Sequence, residues 1–222
     1  MNLRGGLLTL ILVGLALSPA IAQNDVYDNG PTDGQDWGWL INYGFATSNS
    51  FYFYNANDCG WWGGSPCSVN GVSFAAWLVP GDVLLSAEVS ITSSEFGGTT
   101  FFDQMVNFTQ SSCYNNGENF NICTESGRFP DVYLDTGTYW LNLQNAQLAN
   151  GDPIWWDQNS GPSLASNSYY GTIPSESFTI LGSSSTVCPW CGPPTSPEPG
   201  SFILLGSGVL ISLGCFKVFR RL

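Results

Sequence analysis

Short runs of alternating apolar and polar residues, cut by turn signals, constrain this chain more than any other feature. Residues 83–91 place Val83, Leu85, Ala87, Val89 and Ile91 opposite Leu84, Ser86, Glu88 and Ser90, and Val72, Phe74, Ala76 and Leu78 alternate likewise. A period of two belongs to a strand with one buried face. Between these runs, Val79-Pro80-Gly81-Asp82 reads as a hairpin connection. Tyr139, Leu141 and Leu143 share one side of a further strand with Trp140 on the other, and residues 51–54, 100–108, 131–134, 154–156 and 177–180 add more. Turns at Phe96-Gly97-Gly98, Asn115-Asn116-Gly117, Asp135-Thr136-Gly137 and Asn150-Gly151-Asp152 punctuate them. No amphipathic helical pattern stands out between residues 23 and 182. Roughly eight or nine short strands at this spacing predict an all-β domain, a two-sheet jelly-roll-like β-sandwich rather than a barrel. No linker interrupts the region, so residues 23–182 are read as one domain.

Composition narrows the chemistry. Charged residues make up 10% of the chain, against about 25% in an ordinary soluble domain. Histidine is absent, which excludes Ser-His-Asp and Cys-His machinery and any histidine metal site. The basic residues are Arg4, Arg128, Lys217, Arg220 and Arg221, so residues 23–199 set 17 acids against Arg128 alone, a side-chain charge of −16. Phosphate binding needs clustered Lys and Arg, and a nucleic-acid partner is excluded on that ground.

Both ends read as addresses. Residues 1–22 have the pattern of a secretory signal peptide: Arg4, an apolar run over 7–17, and Ala20-Ile21-Ala22 before a cleavage point between Ala22 and Gln23. The alternative is an N-terminal anchor, for which the apolar stretch is short of the ~20 residues a span needs. A Pro/Gly/Ser/Cys-rich linker over 183–196 leads to Ser196-Pro197-Glu198-Pro199-Gly200, then to an apolar stretch over 201–216 closed by Lys217, Arg220 and Arg221. Counted to Phe219 the stretch has 19 residues, enough for a short transmembrane helix with its basic end in the cytoplasm.

That order over residues 197–222 resembles the PEP-CTERM sorting signal of Gram-negative surface proteins. The resemblance implies a membrane-embedded exosortase as processing partner, acting near Pro197-Glu198-Pro199. It also implies a protein first held in the membrane by its C-terminal helix and then displayed at the cell surface or in the extracellular matrix. An ordinary single-pass anchor has the same physics of the span. The stretches VSFAAWLVPGD, GTYWLNLQNAQLANGDPIWWDQNSGPS and GTIPSESFTIL resemble a recurrent group of PEP-CTERM extracellular proteins, which implies fold and destination and carries no activity.

Six cysteines lie outside the apolar tail, in three close pairs: Cys59/Cys67, Cys113/Cys123 and Cys188/Cys191. An even exported count reads as disulfides in an oxidising compartment. Fifteen connectivities exist for six cysteines, and the local pairs each close one loop. Cys188-Pro189-Trp190-Cys191 has the spacing of a redox centre but lies between a Ser run and Gly192-Pro193-Pro194. With no βαβ context around it, a structural loop is the plainer reading.

Three constellations are candidates for chemistry. The acidic segment holding Asp25, Asp28, Asn29, Asp33 and Asp36 has oxygen ligands for Ca²⁺ in Asp28, Asp33 and Asp36, with a solvated acidic segment as the alternative. Asp152 and Asp157 beside Trp155-Trp156 suggest the carboxylate pair of a glycosidase. Five residues apart in a strand, however, they face opposite sides. Adjacent aromatic pairs, Trp61-Trp62, Trp155-Trp156 and Tyr169-Tyr170, each send one ring inward and one outward in an extended chain. The outward rings of Trp61, Trp62, Trp155 and Trp156 are candidate glycan contacts; the alternative is that all serve the core. The expected function is a non-enzymatic exported surface or exopolysaccharide-matrix protein. A carbohydrate-binding module is the alternative, and a glycoside hydrolase comes third.

Overall fold

A computed structural model describes residues 24–35, 37–54 and 66–182. Twelve strands and no helix occur among them. They are β1 (Asn24–Asp28), β2 (Gly38–Leu40), β3 (Ala46–Phe53), β4 (Cys67–Leu78), β5 (Leu84–Ser94), β6 (Gly97–Asn115), β7 (Asn121–Leu134), β8 (Gly137–Leu148), β9 (Ile154–Asp157), β10 (Ala165–Asn167), β11 (Gly171–Ile173) and β12 (Phe178–Gly182). All pairings are antiparallel, in the order β1-β12-β4-β7-β6-β5-β8-β3-β10-β11.

One strand turns this order into a curled sheet. The first part of β6 pairs with β5 up to Asn107, and the remainder pairs with β7 from Phe108 onward. Opposite Phe108 stands Gly127, where a Cβ would lie 2.7 Å from Val106 Cγ1 and 2.8 Å from Phe108 Cε1. A side chain there would collide with the rings and methyls the bend brings together. In the main core Phe74, Trp156, Phe178 and Ile180 from one arm of the sheet meet Phe51, Val89, Ile91 and Leu141 from the other, and Ala75, Trp77 and Ile122 form a smaller cluster. Tyr27 bridges the two arms, its ring 5.9 Å from Phe51 and 5.6 Å from Phe178.

The apolar members of the runs over Val72–Leu78 and Ala87–Ile91 are buried as read, but in β4 the intervening Ala75 and Trp77 are buried as well, so that strand is covered on both faces. Two further details differ. β4 and β5 do not pair, so Val79-Pro80-Gly81-Asp82 is a turn from one arm to the other rather than a hairpin. Asp82 holds it there, its carboxylate accepting the backbone N–H groups of Val83, Asn150 and Asp152 at 2.8–3.1 Å. At the start of β5, the register against β8 shifts between Leu84 and Ser86. This irregularity inverts the alternation: Leu84 is buried while Val83 and Leu85 face solvent.

Strand β4 is the hub. Its one edge carries β7 throughout; its other edge carries β12 along Val69–Phe74 and β9 along Ala76–Leu78. Strand β9 in turn carries β2.

Candidate functional site

The edge formed by β2 and β9 bears an aromatic groove. Backbone pairing sets Leu40 and Trp77 on either side of Trp155 and sets Trp39 and Ala76 on either side of Trp156. Successive residues of β9 therefore divide: Trp156 is fully enclosed in the core, its indole N–H donating to Ser177 O at 2.8 Å, while Trp155 stays half-buried. Of this pair only Trp155 is placed to touch a ligand. Trp61 and Trp62 lie outside the described residues.

Two adjoining cavities share Trp37, Gly38 and Trp155. The larger, about 570 Å³, runs on to Trp39, Tyr170 and Gln158. The smaller, about 390 Å³, runs on to Trp77, Phe120 and Glu118. Trp37 is 72% exposed and stands over the junction, anchored through its carbonyl, which accepts the N–H of Gln158 at 2.9 Å. Gly38 makes the junction: a Cβ there would fall 2.7 Å from Trp155 Cβ and 3.1 Å from Trp156 O. Only a glycine lets β2 approach β9 this closely. Tyr170 comes from the β10–β11 turn, where Asn167 Oδ1 accepts the N–H groups of Tyr169 and Tyr170 at 3.0 and 3.4 Å. Edge-to-face contacts fix the walls, with Trp39–Tyr170 centroids 5.5 Å apart and Trp155–Phe120 5.3 Å apart. The indole N–H of Trp39 is buried with no hydrogen-bond partner.

Beneath the groove lies a buried carboxyl, Asp157. Its oxygens accept from the Trp77 indole N–H, from Thr32 Oγ at 2.5 Å and from Gly34 N at 3.5 Å. This ties the segment leading to Trp37 onto β4. Burial raises its pKa above the usual carboxylate range despite those bonds. Glu176 is likewise fully buried, with neither carboxyl oxygen hydrogen-bonded, and burial followed by the charges of Asp157 and Asp33 pushes its pKa well up.

Two of the three expected Ca²⁺ ligands are described, and each accepts a hydrogen bond in a local turn. Asp28 is exposed and caps Gly30 N at 2.9 Å; Asp33 is exposed and caps Gln35 N at 3.1 Å; Asp36 lies outside the described residues. Among the described residues no group of three or more Asp, Glu, Cys or His side chains is arranged to hold a metal ion. Of the Asp152/Asp157 pair, Asp157 is fully buried and Asp152 half-buried.

Cys113 and Cys123 are joined across the β6–β7 hairpin, with Cα atoms 4.1 Å apart. Cys67 is disulfide-bonded, and its expected partner Cys59 lies outside the described residues. Also outside them are the Ala22–Gln23 cleavage point, Cys188, Cys191, Pro197, Glu198, Pro199, Gly200, Lys217, Arg220 and Arg221. Among the described residues no helix is long and apolar enough to cross a membrane.

Trp37 and Trp39 escaped the sequence reading, and Tyr170 entered it only in a pair expected to send one ring inward, whereas Tyr169 and Tyr170 are both exposed. Adjacent aromatic pairs drew attention, whereas the stronger signal was Trp37-Gly38-Trp39, two rings at strand spacing around a residue with no side chain. Comparison with models of known protein families and with curated proteins finds no match.

Proposed function

We propose that this protein is an exported, non-enzymatic surface or matrix protein that binds extracellular polysaccharide through the Trp37–Trp155 groove. The observation that carries the reading is the run of exposed and half-buried aromatic rings around two adjoining cavities, with amide and carboxylate groups at the margins. Apolar sugar faces stack on such rings while hydroxyls meet the polar rim. The enclosure of Asp157 and Glu176 favours binding over hydrolysis, because a catalytic carboxyl must reach the scissile bond. On this reading the curled sheet is a jelly-roll-like sandwich. The signal peptide over 1–22 directs export, and the PEP-CTERM-like tail over 197–222 holds the protein in the membrane until an exosortase releases it.

A printed glycan array probed with the whole chain tests the binding. Binding to at least one polysaccharide, lost in the Trp37→Ala/Trp155→Ala double variant while the near-ultraviolet circular dichroism of the remaining core is kept, is the expected result. An array with no bound glycan overturns this reading.

A further inference from the structure

Resting on the glycan-binding reading, we propose that the groove is a two-subsite channel selective for an uncharged polysaccharide chain, with Trp37 and Trp155 as the wall common to both subsites. The two cavities are each of the size of a small-ligand site, roughly 300–1,000 Å³, and they adjoin along Trp37, Gly38 and Trp155, which line both. A single sugar occupies one lobe. A chain passing over Gly38 reaches the Tyr170 lobe and the Phe120 lobe at once, and the second contact is gained without a second loss of translational freedom.

Charge decides the ligand class. Among the described residues neither cavity has a basic lining residue. Arg128 is the one base between residues 23 and 199, and its guanidinium donates to Asn70 Oδ1 at 2.6 Å on β4, outside the groove lining. A uronate, sulfate or phosphate entering the groove would be stripped of water among indole rings with no counter-charge, in the field of a domain carrying many uncompensated acids. Free amines would find one carboxylate, Glu118, in the smaller lobe only. The remaining lining, aromatic faces with the Gln158 amide, matches neutral or N-acetylated pyranose rings.

The test measures quenching of tryptophan fluorescence in the whole chain. The probes are cello-oligosaccharides and N-acetylchito-oligosaccharides of two to six units, polygalacturonate and chitosan, each at 50 and 500 mM NaCl. The expected result is binding to an uncharged series, at least tenfold tighter for the tetramer than for the dimer, and less than twofold dependent on salt. Phe120→Ala and Tyr170→Ala, each at one end of the groove, should bring the tetramer back to dimer affinity while leaving the dimer within threefold. Tighter binding of polygalacturonate or chitosan than of either uncharged series overturns the selectivity and leaves glycan binding standing. Affinity independent of chain length overturns the two subsites. Absence of binding to every probe, with an array hit of another uncharged class also lacking length dependence, overturns the inference as a whole.

Discussion

Glu125 sits on the same face of the sheet as Phe74, its pairing neighbour on β4, with no solvent exposure. One carboxyl oxygen accepts from Gln110 Nε at 3.1 Å; the other has no partner. Burial pushes its pKa up to about 7, and the Gln110 bond offsets only part of this. Glu176 and Asp157 move in the same direction. A group whose pKa is higher in the folded state binds protons more tightly there, so its contribution to stability is complete below the unfolded value and lost as pH rises through the folded one. For Glu125 that window runs from about pH 4.5 to about 7. The protein should therefore be most stable in mild acid. Urea unfolding at pH 5 and pH 8 should show a higher free energy at pH 5, and Glu125→Gln should narrow the gap by up to about 3 kcal/mol. A free energy rising with pH across this window would contradict the account. Asp157 acts differently, as an acceptor for three donors; Asp157→Ala should cost about 2–3 kcal/mol by orphaning the Trp77 indole and the Thr32 hydroxyl. The same denaturation experiment reads it.

Strand β5 shows how far alternation reaches and where it stops. Ala87, Val89 and Ile91 are buried as their spacing requires, but the shift between Leu84 and Ser86 exchanges the roles of the residues before them. Leu84→Ala should cost about 2–4 kcal/mol by opening a cavity, whereas Leu85→Ser should stay within about 0.5 kcal/mol. Thermal melts of the two variants distinguish this from strict alternation, which ranks them in the opposite order. Periodicity reports a local preference, and a bulge is set by what the neighbouring strand demands. The partnership of β4 with β7, β9 and β12 rather than with β5 was equally illegible, because a Pro-Gly turn serves a hairpin and an arm-to-arm crossing alike. Strands β1, β2, β10 and β11 are three to five residues long. Segments so short leave no period to read, and two of them, β2 and the β10–β11 turn, supply groove residues. That is why the all-β class was legible and most of the groove was not.

At the scale of the whole chain, the proposed export and sorting predict a defined mature product. Intact-mass measurement of protein released from the cell surface should give a chain beginning at Gln23 and ending near Pro199. A full-length chain ending at Leu222 and retained in the inner membrane would leave an ordinary single-pass anchor.

Mechanics adds a consequence to the arrangement around β4. The domain's last strand, β12, leaves at Gly182 beside the Val69 end of β4, while β9, which floors the groove, grips the same edge of β4 at Ala76–Leu78. Tension between a chain held beyond Gly182 and a polymer lodged in the groove therefore runs lengthwise down β4. Hydrogen bonds in an antiparallel pair stand perpendicular to the strands, so such a pull strains the whole β12–β4 ladder together instead of opening it one rung at a time. On the proposed function, the membrane-held form is thus loaded in shear along β4, the direction in which this ladder resists rupture most.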